Sequence, residues 1–391
     1  MPTSAPLIRS DVPGSFPWSV FHERHPKLLG QVLDALPYGP GERAAVERLL
    51  VESTAGVLTP PGAGVHDRER WLAWGEGLWG RPWGEAPFLW AENWFYHRLL
   101  DATGYFRPGA WQGIDPFGPF KAAELAGPAV DDELAALEPL GELPPRQRAR
   151  ALVTSALWGN RADLSFGLTA ADDGPVAELV ADDSALFWTE LERTRGGRVC
   201  VVADNAGREL LPDLVLIDHL LDDGLAAEVA LYVKPRPYFV SDATPADLLA
   251  TVERLRAAPT PRAAAIGRRL WRALGTGELT VRADAFFCAP LTFHDLPAGL
   301  RAEFAGAAMT VFKGDLNYRR LVGDRLWPPT TPFAAAVAHF PSSVAALRTL
   351  KSDVVVGVEP AALARLDATG APWRTTGRHA VVQVHRRAAA G

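Results

Sequence analysis

Up to about residue 150, apolar positions recur at helical spacing. The stretches HPKLLGQVLDAL and GERAAVERLLVES each set an apolar stripe along one face, and FLWAENWFYHRLLDATGYF predicts a further helix crowded with aromatics. DDELAALEPL and PPRQRARALVTSALWGN continue the pattern, the second with proline at its start. Connections rich in proline and glycine, TPPGAG and RPGAWQGIDPFGPF, interrupt them. Beyond residue 150 the period changes. GGRVCVVADN, AAEVALYVKPRPYFVSD, LTVRADAFF, AAMTVFKGD, SDVVVGV and HAVVQVHR predict strands, while LLPDLVLIDHLLDDG and TPADLLATVERLRAA predict helices among them. Such alternation predicts an α/β fold: a three-layer α/β/α domain with a mainly parallel sheet over residues 151–391, preceded by an α-helical domain over 1–150.

Composition narrows the class. The chain has 391 residues, 48% hydrophobic and 22% charged, enough for one large domain or two ordinary ones. A net charge of −6 with no basic run sets nucleic-acid binding aside. No apolar run is long enough to span a bilayer, and MPTSAPLIRSDVPGSF has no basic start followed by an apolar block, so a cytoplasmic address away from membranes is expected. Cys200 and Cys288 sit in RVCVV and AFFCAP, which predicts buried, inert thiols and excludes a disulfide framework or a thiolate zinc site.

Open α/β sheets bind ligands outside the carboxyl ends of their strands, so the chemistry is sought there. VVADNAGREL offers Asp204, Asn205 and Glu209; FVSDATPAD offers Asp242; FKGDLNYRR offers Asp315, Asn317, Tyr318 and Arg319; LRTLKSD, expected to lead into a strand, offers Arg348 and Lys351. Carboxylate and amide oxygens suit a hard divalent cation, and the absence of His and Cys from the set favours Mg²⁺ or Mn²⁺ over zinc. Lysine and arginine hold phosphate, the first as a point charge and the second as a fork. A metal with few protein ligands keeps waters and lowers the pKa of one of them. Together these parts predict a phosphate-ester hydrolase.

Plainer readings exist for each part. Asp204 and Asn205 equally suit a turn or helix cap. Asp242 is surplus to capping, because Thr244, Pro245 and Asp247 already supply a capping box for the next helix. GDLNYRR also reads as an ordinary loop with surface arginines, and Lys351 as a surface lysine. Competing phosphate motifs are missing: DNAGRE lacks the second aspartate of an aspartyl-phosphate phosphatase, and no Walker, dinucleotide-binding or nucleophile-elbow pattern occurs.

LWGNRADLS, ADNAGRELLPDL, FVSD, KGDLNYRRLVGDRLW and RTLK, with weaker echoes in ENWFYHR and DPFGPFK, carry a resemblance across nearly the whole chain. The sequence resembles the metal-dependent damage-control phosphatases, closest to their subfamily III, whose eukaryotic members are also called acidic-residue or protein-glutamate O-methyltransferase-like. The resemblance implies that Asp204, Asn205 and Asp242 are metal ligands and that Glu209 is an acidic residue beside them. It implies that Asp315, Leu316, Asn317, Tyr318, Arg319 and Lys351 bind substrate and phosphate, with Asn160 and Glu92 facing the same cleft. The implied activity is hydrolysis of small phosphate monoesters, ketose phosphates such as fructose 1-phosphate or fructose 6-phosphate, dependent on Mg²⁺, Mn²⁺, Co²⁺ or Ni²⁺. In the mechanism this suggests, Lys351, Arg319 and backbone N–H groups near Asp315 neutralise phosphoryl charge, Asp315 and Asn317 grip sugar hydroxyls, and Asp242 receives a proton from the attacking water. ENWFYHR departs from the relatives, which tend to have Cys and Tyr after the glutamate. The alternatives are S-adenosylmethionine-dependent carboxyl methylation, for which DNAGRE provides no glycine-rich loop, and non-catalytic binding of a phosphorylated metabolite.

Overall fold

Val199, Cys200, Val201 and Val202 are all buried, although successive strand residues face opposite ways. A strand apolar on both faces belongs in a sheet covered on both sides. The computed structural model, which describes residues 5–158 and 178–387, has that arrangement. Its strands are β1 Glu178–Asp182, β2 Gly197–Val202, β3 Ala226–Tyr232, β4 Leu279–Arg282, β5 Met309–Lys313, β6 Ser343–Thr349 and β7 His379–His385. They form one seven-stranded sheet in the order β1-β7-β6-β5-β2-β3-β4. From β6 to β4 the neighbours are parallel; β7 runs antiparallel to β6, and β1 is parallel to β7.

The helices that concern the site are α1 Pro40–Ala55, α2 Phe88–Ala102, α3 Gly118–Leu125, α4 Pro145–Trp158, α5 Leu210–Asp222, α6 Pro245–Arg256, α7 Pro261–Thr276 and α8 Gly314–Val322. Val46 of α1 and Trp94 and Phe95 of α2 share a core with Cys200, Val202, Tyr232 and Phe312 on one sheet face. On the other face Val153 of α4, Leu214 of α5, Val252 of α6 and Ile266 of α7 meet Val199, Val201, Leu231 and Val311. α6 starts at the capping box read from the sequence: Thr244 accepts from the Asp247 N–H, and Asp247 accepts from the Thr244 N–H. α4 runs through residue 150 and packs on the sheet beside α5, α6 and α7, so helices from the N-terminal part contribute to both outer layers.

Three segments differ from the sequence-based expectation. The strand exit GDLNYRR, whose plainer reading is a loop with surface arginines, is no loop; after Lys313 it turns into α8 and its arginines are buried. LRT is the end of β6, so Lys351 follows a strand exit and does not precede a strand. SDVVVGV is not a strand. β6 is already bonded on both sides, to β5 and β7, so side chains, and the Thr331 and Pro329 carbonyls for Gly357 and Val358, satisfy the segment's backbone instead. Arg348 donates to the Ser352 and Val354 carbonyls, the Val356 N–H donates to Tyr318 Oη, and Gln383 Nε2 donates to the Val356 carbonyl. Its valines are buried, which is why their pattern mimics a strand.

Candidate active site

The connections after β2 and β5 lead to opposite sides of the sheet, because β3 and β4 lie beyond β2 while β6 lies beyond β5. Such a reversal opens a crevice at the strands' carboxyl ends. Asp204 leaves β2 on one side of it and Gly314 leaves β5 on the other. The two are so close that a Cβ on Gly314 would lie 1.8 Å from Asp204 Oδ2, and Gly314 has φ +79°. Only glycine meets both demands. The Asp204 carboxylate therefore rests on the N-terminal end of α8, where helix N–H groups favour negative charge.

The β3 connection brings Asp242 back to this point. Asn205 and Asp242 pair as an isolated antiparallel bridge, supported by the Ala206 N–H to the Ser241 carbonyl (2.6 Å) and the Ala243 N–H to the Asp204 carbonyl (2.8 Å). Asn205 Nδ2 donates to Asp204 Oδ2 at 3.2 Å, and Ser241 Oγ donates to Asn205 Oδ1 at 2.7 Å. Burial pushes the Asp204 carboxyl well above the ordinary range, and the neighbouring Glu209 and Asp242 carboxylates push it further. Asp242 is also raised by burial, against the pull of Lys234 and Lys121. Lys234 Nζ is 3.2 Å from Asp242 Oδ2, yet that oxygen has no hydrogen bond of good geometry.

The Asp204 and Asp242 carboxylates and the Asn205 amide oxygen form an oxygen donor set from two strand exits. It suits a hard divalent cation. The fit depends on the amide, since among the described residues no three His, Cys, Asp or Glu side chains cluster to hold a metal.

Across from the acids, Lys351 Nζ reaches Glu209 Oε1 at 3.1 Å. Burial works against the Lys351 charge, but Glu209 and Asp204 outweigh it and raise its pKa. Burial likewise opposes the Glu209 charge, and Lys351 and Asn205 overcome that, leaving the carboxyl below its usual range. Asp315 anchors the Lys351 end: its Oδ1 accepts from Arg348 Nε (2.9 Å), Ser352 Oγ (3.1 Å) and the Lys351 N–H (3.2 Å). Burial raises the Asp315 carboxyl, but Arg348 and Arg319 more than compensate and it is lowered overall.

The rest of DLNYR faces inward. Asn317 Nδ2 donates to the carbonyls of Ala203 (2.9 Å) and Lys313 (2.8 Å), tying the β2 and β5 exits together. Tyr318 Oη donates to Gln383 Oε1 at 2.8 Å, and Leu316 packs with Leu89, Tyr238 and Cys288. Arg319 donates to Asp324 through Nε (2.7 Å) and Nη2 (3.0 Å), and to Glu92 Oε2 of α2 through Nη1 (2.8 Å). Burial raises Glu92 to about 7 despite that arginine. Asn160 lies outside the described residues.

Sequence reasoning missed several participants. Lys234 is 1% exposed beneath Asp242; a lysine closing the apolar run VALYV was its signal. Lys121 of α3 donates to the Asp242 carbonyl (3.2 Å) and to Asp247 (2.8 Å). Lys313 bonds buried Asp213 at 2.9 Å and the Ala156 carbonyl. Glu124 stands over Gly207, where a Cβ would meet its Oε2 at 2.5 Å. Nothing local in the sequence marks it.

A mostly parallel α/β sheet that gathers acids, an amide and a lysine at its switch point defines an enzyme built for small anionic substrates. Residues 20–365 match the sequence model of the damage-control phosphatase ARMT1-like domain, and the chain belongs to that family. Membership makes it a metal-dependent phosphatase, a phosphoric monoester hydrolase of small phosphorylated metabolites. The Danio rerio protein "Damage-control phosphatase ARMT1" is 29% identical over 95% of this chain and 94% of its own length. Its Rattus norvegicus namesake is 31% identical over 78% of this chain and 75% of its own. A crystal structure of a DUF89 family protein from Pyrococcus horikoshii is 16% identical, with a TM-score of 0.50 over 94% of this chain and 97% of the other, and shares the fold. Among the described residues no helix is long and apolar enough to cross a membrane.

Proposed function

We propose that the enzyme hydrolyses ketose phosphates such as fructose 1-phosphate or fructose 6-phosphate. The cation is Mn²⁺ or Mg²⁺, with Co²⁺ and Ni²⁺ as substitutes. Asp204, Asn205 and Asp242 hold it; when bound, it supplies Lewis-acid stabilisation of phosphoryl charge. The observation that carries this reading is the Asn205–Asp242 bridge, which brings acids from two strand exits together beside Lys351.

Lys351 exchanges Glu209 for a phosphoryl oxygen. It is the one sequence-expected cation whose partner lies at the open rim, with the two side chains 47% and 43% exposed. Asp242 Oδ2, ion-paired with Lys234 at 3.2 Å, takes the proton of the attacking water. Arg319 spends its guanidinium on Asp324 and Glu92, so its task is to fix α8, and Asp315 fixes Lys351. The N-terminal end of α8, beside Asp204, adds a field that favours the phosphoryl group's negative charge.

A phosphate-release screen over sugar phosphates, with each metal and with EDTA, tests the reading. Turnover should appear with metal, vanish with EDTA, and fall roughly 10²–10⁴-fold in Asp242→Asn, the contribution typical of a positioned general base. No release from any sugar phosphate with any metal would overturn it.

A further inference from the structure

Arg236 lies on the β3–α6 connection that carries Asp242, and nothing in the chemistry above uses it. Pro235 and Pro237 flank it, which restricts its backbone from both sides. Further along the same loop Phe239 holds φ +48°, a costly conformation for a bulky residue, and is kept there partly by its stack on Tyr96 at 4.6 Å. This is a held loop, and the arginine on it is presented in one place.

Its guanidinium is undersupplied with acceptors. The side chain is 12% exposed, and its nearest acid, Asp67 Oδ2, stands 3.8 Å away, too far for a hydrogen bond. None of its N–H groups has a hydrogen-bond acceptor among the described residues. The other buried arginines of this region differ: Arg319 meets two carboxylates, and Arg320 donates to three carbonyls. Beneath Arg236 the Phe106 ring lies 5.6 Å from the guanidinium carbon, and His66 stacks on Phe106 at 4.3 Å. A mostly buried planar fork whose nitrogens have no hydrogen-bond acceptor among the described residues is a receptor for a group rich in oxygen acceptors.

We propose that Arg236 forms a distal anion subsite, selecting phosphate monoesters that carry a second anionic group, phosphate or carboxylate, away from the scissile ester. This deepens the phosphatase reading and rests on it. Arg236 is a specificity-determining residue: it touches the non-reacting end of the substrate and takes no part in bond breaking.

The experiment compares kcat/KM for a sugar monophosphate, the matching sugar bisphosphate and the matching phosphorylated sugar acid, in the wild type, Arg236→Gln and Arg236→Lys. The wild type should favour at least one doubly anionic substrate over the monophosphate. Arg236→Gln should reduce that preference ~10–100-fold, mostly through KM, the loss expected for hydrogen bonds to a charged group. Arg236→Lys, which keeps the charge but loses the fork, should restore only part of it. Which substrate is favoured tells phosphate from carboxylate. Equal use of all three by the wild type, or an equal loss on all three in Arg236→Gln, overturns the subsite. In parallel, calorimetry in EDTA measures binding of the bisphosphate and the sugar acid. Tighter binding to wild type than to Arg236→Gln supports the subsite and equal binding sinks it, even if a failure of turnover on every ester has removed the phosphatase reading.

Discussion

At the scale of single residues, the site is a place where stability is given up. Asp204 is buried beside Asp242 and close to Glu209, and its carboxyl is pushed well above the ordinary range. Without a cation its charge therefore opposes folding at neutral pH. Asp204→Asn should unfold at a higher temperature than the wild type in EDTA, yet lose the stabilisation that Mn²⁺ brings. Binding of the native state alone stabilises by about 3 kcal/mol at a hundredfold excess over Kd. Thermal melts of both proteins with and without metal check this, and a lower apo midpoint for the variant would contradict it. Gly314 is the second such residue. Gly314→Ala places a methyl against the Asp204 carboxylate in a backbone conformation alanine resists, so it should cost ~1–3 kcal/mol and depress phosphate release together with stability. Urea unfolding and the release assay on the same preparation measure both, and a variant with normal activity would refute the close approach.

At the scale of elements, α8 is the part on which the others are aligned. Arg319 staples it to α2 through Glu92 and to its own exit through Asp324. Removing one member of a buried ion pair leaves the rest uncompensated, so Arg319→Ala should destabilise the fold by ~3–5 kcal/mol, read from urea midpoints. Glu92 adds a pH signature. It titrates near 4.5 when unfolded and about 7 in the fold. Below pH 4.5 both states are protonated and the cost of its charge is absent; as pH rises toward 7 the unfolded chain ionises first and stability falls. Glu92→Gln should flatten the stability profile between pH 4.5 and 7, whereas parallel profiles would remove Glu92 as the cause.

α8 also shows how far the sequence could be read. Strands buried on both faces declared themselves as apolar runs, and the capping box at Thr244 marked Asp242 as surplus. The polar string DLNYRR instead looked like a loop, because a pattern records polarity and not partners. Asn317, Arg319 and Arg320 are each at most 4% exposed, because carbonyls and carboxylates distant in sequence satisfy them. The same reason hid Lys234, and in reverse it made SDVVVGV resemble a strand although side chains and a neighbouring loop serve its backbone.

For the whole molecule, the switch point explains why residues so far apart in sequence meet. Exits of four adjacent strands, β6, β5, β2 and β3, deliver Lys351, Gly314, Asp204 with Asn205, and Asp242 to one crevice. Helices of the N-terminal part roof it: Lys121 grips the Asp242 loop and Glu92 grips α8. The central claim is that these exits hold a single divalent ion opposite Lys351. Anomalous diffraction from Mn²⁺-soaked crystals tests it most directly. The account predicts one strong peak within coordination distance of Asp204, Asn205 and Asp242; a peak bonded to other residues, or none at saturating Mn²⁺, would contradict it.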